Sequence, residues 1–155
     1  MMKVLFLDID GVLNHDYFYS HLSEIKLAHN NYPYTEFDPK CVEELNRILD
    51  STNAKLVVSS SWRVESNLQD IFTQVGIKHK IYGITPIYWD DKERTRGEEI
   101  EEYLNNNNVD TYCILDDVKD FTDEQMNNFV LCKSYDMGLT KKLADKAIEI
   151  LNNNE

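Results

Sequence analysis

The stretch Val4-Leu5-Phe6-Leu7-Asp8-Ile9-Asp10-Gly11-Val12-Leu13-Asn14 reads as a buried strand that ends in two carboxylates and a turn. Side chains two apart on a strand share a face, so Asp8 and Asp10 are expected to emerge together where the strand ends. Like charges at contact distance repel by roughly 4 kcal/mol at an effective dielectric near 20. A cation or a shared proton must relieve them. Gly11 can take backbone angles closed to other residues and lets the chain turn sharply beside a ligand. The same residues would also serve as a plain strand-to-turn exit, a common role for Asp before Gly.

Working outward, further apolar runs at 54–59, 80–84, 111–115 and 129–132 alternate with segments of helical period. This is the pattern of an α/β domain with a mostly parallel sheet, the first strand covering 3–9. Asp38-Pro39 supplies an N-cap and first-turn proline for a helix to about Leu49, with Val42, Leu45 and Leu49 on one face. A second helix is expected from Ser66 to Gly76 and a third from Gly97 through Leu104, dissolving into the loop Asn105–Asn108. Gly138-Leu139-Thr140 opens the last, with Leu143, Ala144, Ala147, Ile148 and Leu151 as its apolar stripe.

At 155 residues the chain suits one domain, 1–155, with a single core. A net charge of −12 argues against extended engagement of nucleic acid or anionic membrane, while local binding of a strand end stays open. No apolar run reaches the roughly 20 residues of a membrane span, and Asp8 and Asp10 interrupt the first one, so a cytoplasmic protein is expected. Cys41, Cys113 and Cys132 lack pair spacing and read as reduced packing residues. The histidines at 15, 21, 29 and 79 show no ligand spacing tied to cysteines or acids, and structural zinc is not expected.

Three more clusters sit where strands end. Leu56-Val57-Val58-Ser59-Ser60-Ser61-Trp62-Arg63 closes a buried strand with hydroxyls, at the carboxyl edge where ligands of open parallel sheets gather. Ser hydroxyls and backbone N–H groups there can bind phosphate without adding charge; strand-end capping would use the same residues. Trp62 reads as packing, and Arg63 as a grip on a second phosphate or the partner of a surface acid. Arg96 precedes a helix in Thr95-Arg96-Gly97-Glu98-Glu99-Ile100 and offers a planar, always-charged fork for phosphate, with Lys92 and Arg94 as competitors. Cys113-Ile114-Leu115-Asp116-Asp117-Val118-Lys119-Asp120 again delivers acids from an apolar strand. Hard oxygen ligands from two strand ends suit Mg²⁺, which keeps several waters and bridges to substrate phosphate.

The order of these clusters resembles the haloacid dehalogenase-like (HAD) phosphohydrolase superfamily. Ser60-Ser61-Trp62-Arg63 and Arg96-Gly97-Glu98-Glu99-Ile100 are most similar to small HAD domains associated with RNA-repair proteins, and more distantly to the phosphatase half of polynucleotide kinase-phosphatases. The resemblance implies a three-layer Rossmann-like core. It makes Asp8 the nucleophile, Asp10 the general acid and base, Ser59 or Ser60 the phosphate-binding hydroxyl and Arg96 the phosphate cation. Asp8, Asp10 and Asp116 then hold the metal, supported by Asp117, Asp120 and Arg63. Arginine at 96 departs from the lysine common there.

In HAD relatives the segment matching 14–37 holds the flap and any inserted cap. These residues are too few for a cap domain, so an enlarged flap with a short helix near Ser20–His29 is expected, its tyrosines at 17, 19, 32 and 34 available to stack a base or pack on each other. The implied activity is Mg²⁺-dependent phosphohydrolysis through an aspartyl-phosphate, on a nucleotide or a terminal phosphate of nucleic acid. A small sugar phosphate or a phosphoprotein is the alternative substrate. A phosphoacceptor receiver module is the rival class, disfavoured because its adjacent acids follow the first strand and its acceptor a middle one, whereas here the middle strand ends in serines.

Overall fold

Val4 and Phe6 point to one side of the first strand and Leu5 and Leu7 to the other, and all four are fully buried, so a covering layer is needed on each face. The computed structural model, which describes residues 1–28, 36–88 and 93–153, supplies both. Its strands are β1 (Lys3–Leu7), β2 (Lys55–Val58), β3 (Ile81–Ile84), β4 (Thr111–Asp116) and β5 (Phe129–Leu131), all paired in parallel in the order β3-β2-β1-β4-β5.

Helices α1 (Asp16–Ser20) and α2 (Leu22–Ala28) follow β1, then α3 (Pro39–Thr52), α4 (Leu68–Val75), α5 (Arg96–Asn106), α6 (Asp123–Met126) and α7 (Lys141–Asn152). On one face Leu5, Leu7, Leu56, Val58, Cys113 and Leu115 meet Leu45, Ile48 and Leu49 of α3, Phe72 of α4 and Ala144, Ala147 and Leu151 of α7. On the other, Val4, Phe6, Val57 and Ile114 meet Ile100 and Tyr103 of α5, with the Phe6 and Tyr103 rings edge-to-face at 5.4 Å. The result is a three-layer Rossmann-like core, as the resemblance implies.

The helix boundaries have local causes. Asp38 accepts the Lys40 N–H as N-cap of α3, with Pro39 at its first position. The helix runs three residues past Leu49 because Asn53, at φ 59°, closes it in the left-handed conformation. Thr95 and Thr140 cap α5 and α7. Helix α4 starts at Leu68, later than Ser66, because Ser61–Val64 forms a 3-10 turn whose exit at Glu65 is extended. Helix α6 has a complete capping box between Thr122 and Gln125.

The described part of 14–37 carries two short helices, α1 beginning ahead of the expected single one because His15 caps it through the Phe18 N–H. Tyr32 and Tyr34 lie outside the described residues, as do His29, Trp89 and Lys92.

Register aligns the strand ends. Leu5 faces Leu56 on one side and Cys113 on the other. One step further along, Asp8 N–H donates to Leu115 O at 2.9 Å, Ser59 N–H to Leu7 O at 2.8 Å and Cys132 N–H to Asp116 O at 2.9 Å. Residues 8, 59 and 116 therefore meet at one rim. Connections from β1 run through β2 to β3, while β4 returns to the opposite side of β1, so this rim is the topological switch point of the sheet. Among the described residues no helix is long and apolar enough to cross a membrane.

Candidate active site

Strand β1 stops at Leu7, two residues short of expectation, because a turn begins at once: Val12 and Leu13 N–H both donate to Ile9 O, at 3.1 and 2.8 Å. The turn parts the two carboxylates that strand geometry would have kept on one face. Asp8 stays inside, 6% exposed, while Asp10 is exposed. Asp10 accepts hydrogen bonds from Trp62 Nε1 on both oxygens, at 3.2 and 3.1 Å, and from Asn14 Nδ2 at 3.1 Å. Asn14 Oδ1 also takes the Gly11 N–H at 2.9 Å, and its Nδ2 reaches Glu36 O at 2.9 Å, so this buried amide ties the whole turn together.

The carboxylates of Asp8, Asp116 and Asp117 offer oxygens within 4.8 Å of one another. Asp116 is 1% exposed, and its Oδ1 accepts the Asp117 and Val118 N–H groups at 2.8 and 3.2 Å while the buried Oδ2 has no hydrogen-bond partner. Burial, reinforced by the charge of Asp116, pushes Asp8 up to about 8. Burial likewise raises Asp116 to about 6, and Arg96 draws both carboxylates back down. Three carboxylates this close, one with an unpartnered buried oxygen, form an all-oxygen donor set that fits a hard divalent ion such as Mg²⁺.

Arg96 Nη1 lies 3.6 Å from Asp8 Oδ1 and donates to Ser59 O, joining the first, second and third clusters. Its nearest competitor among the described residues, Arg94, turns away, pairing with Glu102 at 2.8 Å and covering the Tyr88 ring. Ser59 Oγ is buried without a partner, whereas Ser60 Oγ accepts the Trp62 N–H at 3.2 Å as cap of the 3-10 turn. The free hydroxyl at the rim is thus that of Ser59.

Arg63 pairs with a buried acid, not a surface one: its guanidinium bonds Glu99 and the carbonyls of Ser60 and Pro86. Glu99 Oε1 lies 3.9 Å from Arg96 Nε, so one carboxylate braces both arginines. Asp120 accepts the Arg96 backbone N–H at 3.0 Å and, through its own carbonyl, the Gly97 N–H at 3.0 Å; it holds the start of α5 by the main chain. Glu99 was legible only as a helix residue, and its burial beside two arginines is a tertiary fact.

Trp62 packs 5.4 Å from the buried Phe37 ring, as expected, and in addition bonds Asp10. A second cluster that histidine spacing did not disclose joins His15, Asp38 and Cys41. There His15 Nδ1 accepts the Phe18 N–H, so Nε2 carries the ring proton and donates to Asp38 at 2.6 Å, and a ring with both nitrogens engaged is no metal ligand.

The pattern of the family described as "HAD domain in Swiss Army Knife RNA repair proteins" matches residues 4–144. The chain belongs to this HAD family. Its fold is similar to that of β-phosphoglucomutase from Clostridium difficile, with 16% identity, a TM-score of 0.54 and coverage of 99% of this chain and 98% of that one. No curated protein matches the sequence. Membership of the HAD family supports a phosphoryl-transfer enzyme and gives no support to the receiver alternative.

Proposed function

We propose that this HAD domain is a Mg²⁺-dependent phosphohydrolase that removes a terminal phosphate from a nucleotide or nucleic-acid end through an aspartyl-phosphate on Asp8. The observation that carries the reading is the convergence of Asp8, Asp116 and Asp117 with Arg96 and the unpartnered Ser59 hydroxyl at one sheet rim. Asp8, Asp116 and Asp117 would hold the ion, Asp117 taking the place expected of the Asp10 carboxylate, which bonds Trp62 and Asn14 instead. The ion would supply charge neutralisation for the buried carboxylates and for the phosphoryl oxygens.

Asp8 attacks phosphorus as the bond to the leaving oxygen breaks, and Asp10 gives its proton to that oxygen. Asp10, now ionised, takes a proton from water as the water attacks the acyl phosphate, releasing inorganic phosphate and restoring Asp8. Covalent catalysis divides one hard displacement into two easier ones. Arg96 and Ser59 are placed to meet phosphoryl oxygens, where fixed donors act without reorganising. Glu99, itself held by Arg63, braces Arg96.

A terminal phosphate is favoured over an extended strand because the chain carries a net charge of −12. The RNA-repair setting of the family supports a nucleic-acid end. Tyr19, half exposed on α1, offers an aromatic face on which a base could stack. The test is phosphate release with Mg²⁺ across nucleotides, 3′- and 5′-phosphorylated oligonucleotides, sugar phosphates and phosphopeptides. Highest kcat/KM on a nucleotide or oligonucleotide end is expected. Preference for a sugar phosphate or phosphopeptide would overturn the substrate class, and no release from any would overturn the activity.

A further inference from the structure

The only described side chains that bond the Asp10 carboxylate are Asn14, four residues on, and Trp62, fifty-two residues away at the start of the 3-10 turn. The indole is itself locked in place. Its backbone N–H is capped by Ser60 Oγ, its carbonyl takes the Glu65 N–H at 2.9 Å, and its ring lies against Phe37. An indole N–H donates and never accepts, so it can hold a carboxylate's direction without competing for the proton that carboxylate transfers. Held at both oxygens, Asp10 projects from the turn beside the rim instead of folding in among Asp8, Asp116 and Asp117.

We infer that Trp62 is a positioning residue for Asp10, its indole N–H fixing the direction in which that carboxylate meets the leaving oxygen. This rests on the phosphohydrolase reading and adds to it a link between the β2 and β1 loops that serves the acid step alone. A group that orients the acid matters only where the leaving oxygen needs a proton. An alkoxide does, and a p-nitrophenolate does not. Trp62→Phe keeps a ring against Phe37 and removes the donor.

The experiment measures kcat/KM, which reports phosphorylation of Asp8, on an alkyl phosphate and on p-nitrophenyl phosphate with the Mg²⁺-loaded protein. The ratio of the two is independent of the folded fraction. Trp62→Phe is expected to lower kcat/KM on the alkyl ester by roughly 10- to 100-fold, a part of what general acid catalysis supplies, and to leave the aryl ester within a few-fold. Trp62→Leu, which also lacks the donor, is read by the same ratio.

An equal loss on both esters, or none on either, overturns the positioning role. Asp10→Asn run in parallel separates the two possible failures. An alkyl-selective loss in Asp10→Asn with an unselective Trp62→Phe overturns the inference alone. An unselective loss in Asp10→Asn overturns the acid role on which both rest.

Discussion

Gly11 and Asp117 occupy one space: a Cβ at position 11 would stand 2.5 Å from Asp117 Oδ2 and 2.7 Å from its Cβ. Gly11 also sits at φ +83°, where a side chain is strained whatever its neighbours. The contact seats the β1 turn directly on the β4 loop, so the acids of two distant clusters share a site through a missing methyl group. Gly11→Ala is therefore expected to cost about 1–3 kcal/mol of stability and to lower phosphate release by more than tenfold. Urea titration and kcat/KM read the two effects, and unchanged values of both would contradict the packing described.

Asp8 has an unusual stability signature. Its carboxyl is raised to about 8 from the ordinary 3.8, so in the absence of divalent ions the folded state holds a proton that the unfolded chain releases. The resulting stabilisation is full below about pH 4 and disappears as pH climbs through 8. Asp8→Asn has no charge to bury, so in EDTA at pH 8 it is expected to be more stable than the parent by roughly 1–3 kcal/mol, the gap closing towards pH 5. Thermal melts across that range check this; a parent more stable than the variant at pH 8 would refute it.

The two serines separate activity from stability. Ser59 Oγ has no partner, so Ser59→Ala should leave the unfolding midpoint near that of the parent while kcat/KM drops about 10-fold or more. Ser60 Oγ caps the 3-10 turn, so Ser60→Ala should cost about 1 kcal/mol. The reverse pattern would move the phosphate-binding hydroxyl to Ser60.

Among the arginines, Arg96→Ala is expected to reduce kcat/KM by about 100-fold or more, since Arg96 is the cation 3.6 Å from Asp8. Arg94→Ala, whose partners are Glu102 and Tyr88, should change it by less than about threefold. Arg63→Ala leaves the buried Glu99 with Arg96 at 3.9 Å as its nearest remaining cation among the described residues, and a loss of about 3 kcal/mol in stability is expected. Steady-state kinetics and denaturant melts on the three variants distinguish these roles.

The sheet was legible because parallel strands buried on both faces must be runs such as Val4–Leu7 and Leu56–Val58, and the carboxyl ends of such strands, where Asp8, Ser59 and Asp116 stand, share one edge. Helix α6 is not legible in the sequence although Thr122 and Gln125 carry the spacing of a capping box, since four residues are too short for a periodic signal. The bond from Trp62 to Asp10 and the pairing of Arg63 with Glu99 could not be read in advance. They depend on how a 3-10 turn and the start of α5 present side chains to loops 52 and 36 residues distant. His15, Asp38 and Cys41 meet for the same kind of reason, through the return of the chain from α1 to α3.

Rapid-quench mass spectrometry of the Mg²⁺-loaded protein during turnover of its best substrate tests Asp8 as the nucleophile. A phosphoryl group is expected on the peptide containing Asp8, forming before free phosphate appears, and none in Asp8→Asn, which should be inactive. Phosphate release at the parental rate by Asp8→Asn, or a phosphoryl group on any other residue during turnover, would contradict it.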